Sequence, residues 1–535
     1  MYKGSSLTGG LDVVPGPART VRTVALQLLS WSMTGPLILP VTALLAHYFG
    51  PVQYGEYSFT LPFLATCALL SGTGMDPLIV RRLSRQRRSE WRDTLSYAAG
   101  SRLLSTLLSI GVIWLLAAVL PLAVEVRCLL VLGSASLLFS FTYNGWRAIY
   151  LHGFHAEQRV SLLVWLETVN RWLMAAMAVL VVMFHLPLLL AYALILYIDL
   201  PCFIVLMYIA RRRFGVRIRF SLARMREHLL DSLPLTGYDA LALITNQADV
   251  LLLMLFSGPL QVGLYSLGLR ITDPLLTMAL ACMSGIYPLL CLTFEKGRAS
   301  FNQVYREALR MLSLIILPVS FFISIEAAQI VVLLGGQLFG QAVVVVQLLT
   351  WATATIFYSQ LAAQSCTAAN MERFVPVVAL ASAVINLLGN LLLIPLWHAT
   401  GAGVAALVSE FTTLVLFSLL LRRHVPLLPA YGAVLRVFLG SLPACAFLWW
   451  QSEGSLLLNA ICTLVLTLVG CFATRALTWR DLQLAKRYLF PGRAAPAEPV
   501  AHTQKEIGGE KLAYLPDRAC CSTLILPRIR FTGVR

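Results

Sequence analysis

Charged side chains interrupt the apolar runs of this 535-residue chain at a small set of positions. Arg102, Arg147, Glu167, Arg171 and Asp199 do so in the first part, and Asp239, Asp249, Arg270, Asp273, Glu326 and Glu410 in the second. At bilayer depth such a group costs about 2.5 to 3.5 kcal/mol on insertion scales, so each needs a partner or a wet cavity. The first set is rich in arginine, whose planar fork suits phosphate oxygens. Arg102, Arg147, Glu167, Arg171 and Arg270 are therefore candidates for lining a cavity that takes a phosphate group. Asp199, Asp249, Asp273, Glu326 and Glu410 are candidates for gating or for coupling to a proton or sodium ion, since burial raises a carboxyl pKa.

Each candidate also has a plain structural reading. Arg102 shares a helical face with Thr94, Tyr97, Ser101, Ser105 and Ser109 and has no acid on its helix, so it either snorkels to headgroups or faces a cavity. Arg147, a turn from its helix end, fits a headgroup role as well as cargo contact. Glu167 precedes Arg171 by one turn; the pair either neutralises itself or forms a gate that a pyrophosphate opens by displacing the carboxylate. Asp249 and Arg270 lie equally far from the hairpin centre at Pro259 and Leu260, which predicts an ion pair that is either a brace or a latch. Asp199 sits just before Pro201, and Glu326 and Glu410 lack partners on their own helices. Asn386 and Asn390, one turn apart, read as glue between helices.

The elements that must hold these groups are transmembrane helices. Apolar residues make up 58% of the chain and charged ones 12%, with mean hydropathy +0.78, which excludes a soluble protein of this size. Runs of about 20 apolar residues recur and lack the alternation of barrel strands, so the fold class is all-α polytopic, with about fourteen predicted spans. The predicted organisation is a cytoplasmic segment 1–22, six spans over 23–210, a basic linker 211–234, six spans over 235–421, an extra pair over 429–474, and a disordered cytoplasmic tail 475–535. With the N-terminus inside, the Lys and Arg residues outside the spans gather in inner loops, which predicts a multi-pass inner-membrane protein with both termini cytoplasmic. The net charge of +16 is then topology and attraction to anionic lipid, and nucleic acid is not expected as a partner. Most of the 11 cysteines fall inside spans and Cys520 and Cys521 lie in the inner tail, so no disulfide framework is expected.

FGPVQYGEYS at 49–58 returns as SGPLQVGLYS at 257–266, with Gly50, Pro51, Gln53, Gly55, Tyr57 and Ser58 matched by Gly258, Pro259, Gln261, Gly263, Tyr265 and Ser266. Each copy opens a six-span block, so the blocks enter the membrane in one direction and are related by a pseudo-twofold along its normal. Repeated halves around a midplane site are a secondary-transporter architecture.

The run HYFGPVQYGEYSFTLPFLATCALLSGTGMDPLIVRRLSRQ resembles the opening of the O-antigen-type polysaccharide flippases of the multidrug/oligosaccharidyl-lipid/polysaccharide superfamily, whose first hairpin reads LGPxxYGxYS. LLGGQLFGQAVVVVQLLTWA at 333–352 and NLLGNLLLIPLWHATGAGVAALVSE at 386–410 are similar to that family's entries into helices 10 and 12. The resemblance implies a rocking carrier, acting as a monomer, that moves an undecaprenyl-pyrophosphate-linked oligosaccharide from the inner to the outer leaflet for polysaccharide biosynthesis. Its implied partners are that lipid-linked glycan, membrane lipid and other polysaccharide-assembly proteins. A drug/cation antiporter of the same superfamily and a lipid-II-type flippase are the alternatives within transport. In a lipid-II flippase the extra helix pair borders a lipid-tail groove.

An enzyme such as a glycan polymerase, ligase or glycosyltransferase is the rival class. It needs an active-site domain, whereas the predicted loops are short and no GxxxxGK[ST] run or spaced His/Cys cluster occurs. His152 and His155 in LHGFH are expected as solvated loop residues. No cofactor or metal is predicted.

Overall fold

In a computed structural model, the described residues are 17–477, apart from 73–74, 144, 158–160, 423 and 452–454. The side chains of 17–34, 36, 38, 222, 224, 229, 233–246 and 427–430 also lie outside the description. Among the described residues the regular structure is helix, with no strand. That is the outcome the sequence demands, because in hydrocarbon each backbone amide must be satisfied within its own segment.

The helices in order are α1 (Pro17–Ala68), α2 (Met75–Arg85), α3 (Arg88–Val119), α4 (Val124–Ser134), α5 (Ala148–Ala156), α6 (Ser161–Met183), α7 (Leu188–Tyr197) and α8 (Asp199–Phe214). There follow α9 (Leu222–Glu295), α10 (Arg298–Ile325), α11 (Ala327–Gly335), α12 (Ala342–Ala368), α13 (Val375–Leu421), α14 (Leu427–Trp450) and α15 (Leu456–Ala473). Among the described residues 9 helical runs are long and apolar enough to cross a membrane, or 10 if a bent pair spanning Leu39–Arg85 is one span. The expected fourteen exceeds that count partly because long runs bend internally, at Gly50 in α1, Gly258 in α9 and His398 in α13.

The two bends at the repeats share one backbone geometry. Gly50 has φ 68°, ψ 176° and Gly258 has φ 79°, ψ −179°, a region open essentially to glycine, so each repeat needs its first Gly to turn the chain. The predicted outer loops at these places are thus single-residue kinks between helices.

Two predicted spans are broken. In the first block α4 ends at Ser134, a short 3-10 turn follows, and helix resumes as α5 at Ala148. In the second block the break is at Glu326, where α10 gives way to α11. α12 is the most enclosed candidate span, with 61% of its apolar window buried, and packs on α9, α10 and α13 at the heart of the second half.

Candidate functional site: charge inside the bundle

Arg102 is fully buried on α3 and has its acid from another element: its guanidinium meets the Asp76 carboxylate at the start of α2. His152 Nε2 lies 3.1 Å from the same carboxylate oxygen. His152 sits on α5 and is buried rather than in a solvated loop. The polar face around Arg102 is satisfied from within, since the hydroxyls of Ser101, Ser105 and Ser109 each donate to the carbonyl one turn back. Asp76 escaped the shortlist because it falls at the edge of an apolar run; its signal was the helix-start pattern Gly-Met-Asp-Pro.

Asp199 and Arg147 hold the broken span together. The Ser140 hydroxyl and the Phe141 backbone N–H donate to Asp199 at 2.6 and 2.7 Å, and Asn170 Nδ2 donates to its other oxygen at 2.6 Å. Arg147 is buried, donates through Nε to the Ser140 carbonyl at 2.7 Å, and lies over the Phe141 ring with Cζ 4.2 Å from the centroid. Non-helical backbone at membrane depth survives only where protein satisfies its free groups, and these two charges do that. The reading of Arg147 as a headgroup or cargo contact gives way to this backbone role in the present conformation.

The expected pairing of Asp249 with Arg270 does not form. Asp249 is buried and accepts from Tyr265 Oη at 2.6 Å and from Asn390 Nδ2, and Asn390 in turn donates to the Asn386 side chain at 3.0 Å. Arg270 pairs instead with Asp273 on its own helix at 3.2 Å. Equal depth on two helices set the distance along the membrane normal, while helix rotation, which the spacing argument left free, turned the two side chains apart. Glu326 is buried at the α10–α11 break and accepts from Asn459 Nδ2 of α15 at 2.8 Å, which ties the extra pair to the second half. Glu410 accepts from Ser359 Oγ at 3.4 Å. The side chain of Asp239 lies outside the described residues, as do Cys520 and Cys521.

Among the candidate residues described, two charged pairs remain accessible. Arg171 and Glu167 pair at 2.9 Å on α6 with 38% and 41% of each side chain exposed. The apolar stripe of Trp165, Val169 and Trp172 is also exposed but lies on the opposite side of the helix at 100° per residue, so the pair points away from the lipid face. Arg270 and Asp273, 40% and 39% exposed, open a stripe on α9 that continues through exposed Thr277 and Ser284. The Tyr54 and Tyr57 phenols of the first repeat lie close to the Arg270 guanidinium. Exposed Leu280 shares that face at 100° per residue, so the stripe is polar only in part.

The two repeats meet. A Cβ added to Gly55 would fall 1.9 Å from the Pro259 carbonyl oxygen, and one added to Gly263 would fall 2.0 Å from the Pro51 carbonyl oxygen. The contact is reciprocal, with backbone against backbone, and only glycine permits it. At the basic end the first and second halves meet through side chains, where Arg82 of α2 reaches Asp231 at 2.5 Å and Glu227 at 3.2 Å, both in the first turns of α9.

An all-helical apolar bundle with nine candidate spans among the described residues is a multi-pass membrane protein by fold. The family follows from comparison: a family model described as polysaccharide biosynthesis protein matches residues 21–294, over half the chain, and the chain belongs to that family. Among solved structures, the chain is similar to a lipid II flippase, MurJ, in an inward closed conformation, at TM-score 0.68 and 13% identity, covering 88% of this chain and 100% of that one. It is also similar to an inward-facing multidrug resistance MATE family transporter of the MOP superfamily, at TM-score 0.53 and 15% identity, covering 75% of this chain and 98% of that one. At these identities the likeness is one of fold. No curated protein matches the chain.

Proposed function

We propose that this protein flips an undecaprenyl-pyrophosphate-linked oligosaccharide across the cytoplasmic membrane by alternating access, with the basic loops and both termini on the cytoplasmic side. The observation that carries the reading is the Glu167–Arg171 pair, accessible to water yet turned from the lipid face, in a chain of the polysaccharide biosynthesis family. A diphosphate entering from the basic end competes with Glu167 for the Arg171 guanidinium, because two charged oxygens on one ligand match the fork better than a single carboxylate. Displaced from Arg171, Glu167 repels the diphosphate and favours its passage onward. Arg270, with Tyr54 and Tyr57 beside it, is the next cation in the accessible interior. Buried Asp249, accepting from neutral donors only, is the coupling or gating carboxylate of the second half.

A cavity of about 500 Å³ lies between α10, α12 and α14, lined by Phe321, Val344, Leu348 and Trp351 with Gln347 and Ser324. Its apolar lining suits a polyprenyl tail, which gives the extra helix pair its role.

The test is reconstitution in vesicles with a lipid-linked oligosaccharide whose leaflet is read by an impermeant lectin. Wild type equilibrates the glycan between leaflets, and Arg171→Ala, which leaves the fold intact, loses one charge-assisted contact of about 1.5 to 3 kcal/mol, a rate loss of about 10- to 100-fold. Equal rates in the two proteins would remove the pyrophosphate role from Arg171. Uptake of a lipophilic cation with no movement of glycan would transfer the protein to the antiporter reading.

A further inference from the structure

Three arginines crowd one pocket at the basic end without an acid to match them. Arg92 in the first turns of α3, Arg211 in the last turn of α8 and Arg217 beyond it line a cavity of about 520 Å³ whose remaining wall is Gly215, Val216 and Ile218. Their neighbours along the chain are matched: Arg88 and Arg213 reach Glu157, and Arg219 reaches Asp93. Among the described residues no carboxylate comes within 4.0 Å of Arg92, Arg211 or Arg217. Three like charges around one hollow repel one another, and an anion that accepts from several guanidinium forks removes that cost.

The pocket is held in shape. Ser96 of α3 fastens its far wall, accepting from Arg217 N–H at 3.0 Å through Oγ and from Arg219 N–H at 3.2 Å through its carbonyl. Gly215 caps α8 with φ 66°, and the Arg92 stem lies across it so closely that a Cβ there would come within 3.3 Å of Cδ. Arg92 and Arg217 are therefore placed by the backbone.

What lies beside the pocket selects the anion. From Arg211 the exposed face of α8 runs toward the membrane centre through Tyr208, Ile204 and Leu200, 53%, 50% and 37% exposed at one-turn spacing, and Phe220 is 60% exposed next to it. A soluble phosphate has no use for that track, whereas a lipid tied by its phosphate has its chains laid along it. The pocket also lies on the outside of α3 and α8, apart from the accessible pairs of α6 and α9. We infer that Arg92, Arg211 and Arg217 form a binding site for the phosphate headgroup of an anionic membrane phospholipid, with an acyl chain along Tyr208, Ile204 and Leu200. The leaflet is the one the basic loops face, and phosphate sites of this kind between helix ends are a known form of lipid recognition.

The full chain is purified and titrated with phosphatidylglycerol and with phosphatidylcholine, the bound lipid being counted by native mass spectrometry. Wild type prefers phosphatidylglycerol. The triple variant Arg92→Gln, Arg211→Gln, Arg217→Gln lowers that affinity by tenfold or more, and the triple lysine variant, which keeps the charge, holds most of it. Should the glutamine triple fail to fold, Arg211→Gln alone against Arg211→Lys reads the same difference. Unchanged preference in a folded glutamine variant overturns the site. Displacement of the bound lipid by excess inorganic phosphate or pyrophosphate overturns it too, by assigning the pocket to a soluble anion or to the cargo's own head.

Discussion

At the scale of single residues, most of the intramembrane charges are committed to the protein itself. Arg102 and Asp76 illustrate the cost of that commitment. Asp76→Ala takes the carboxylate from a fully buried guanidinium and should destabilise the protein by about 3 to 5 kcal/mol, whereas Asp76 is 25% exposed and keeps His152 beside it, so Arg102→Ala should cost less. The double variant should cost less than the two losses added together, as thermal unfolding in detergent will show; simple additivity would mean the two groups are not coupled. Glu167 and Arg171 behave otherwise, because both are half exposed and each keeps water if the other is removed. Arg171→Ala is expected to leave the unfolding midpoint within a few degrees of wild type. The two arginines look alike in sequence, yet one is buried in its pair and the other sits in an exposed one. What separates them is an acid contributed from a distant element, which no spacing along α3 reveals.

At the scale of elements, the duplicated hairpin does its work through its glycines. Gly50 and Gly258 turn the chain, and Gly55 and Gly263 let the two turns lock together. Gly55→Val or Gly263→Val forces the backbones apart, and a single cysteine placed at Val52, which is exposed beside the contact, should then react faster with an impermeant maleimide. An unchanged rate would show that the contact is not the seal at that end. The repeat itself was plain in the sequence, as was the all-helical class, because glycine pattern and apolar length are local signals, whereas the bends that merge neighbouring spans were not. The breaks at 135–147 and at Glu326 were not. They depend on Asp199, Arg147 and Asn459 arriving from elsewhere to satisfy freed groups, and hydropathy counts apolar residues without asking which backbone amides lose a partner. The rotation of α9 was equally hidden, which is why Asp249 took Tyr265 and Asn390 in place of Arg270.

At the scale of the whole molecule, the two halves touch through different physics at the two ends. Backbones interlock at the repeats, whereas at the basic end exposed side chains meet, Arg82 with Asp231 and Glu227. Exposed ion pairs contribute only about 0 to 1 kcal/mol and are screened by salt. Arg82→Ala, or raised ionic strength on wild type, should therefore increase labelling of a cysteine at the basic end several-fold and leave the Val52 position unaltered. Loss of this asymmetry would mean that the ends are coupled rigidly. The glycine contact carries no group that titrates, so neither buffer, counterion nor membrane voltage has a handle on it. Any electrolyte effect on the resting carrier must enter through one door, and the other yields only to mechanical force relayed through the helices.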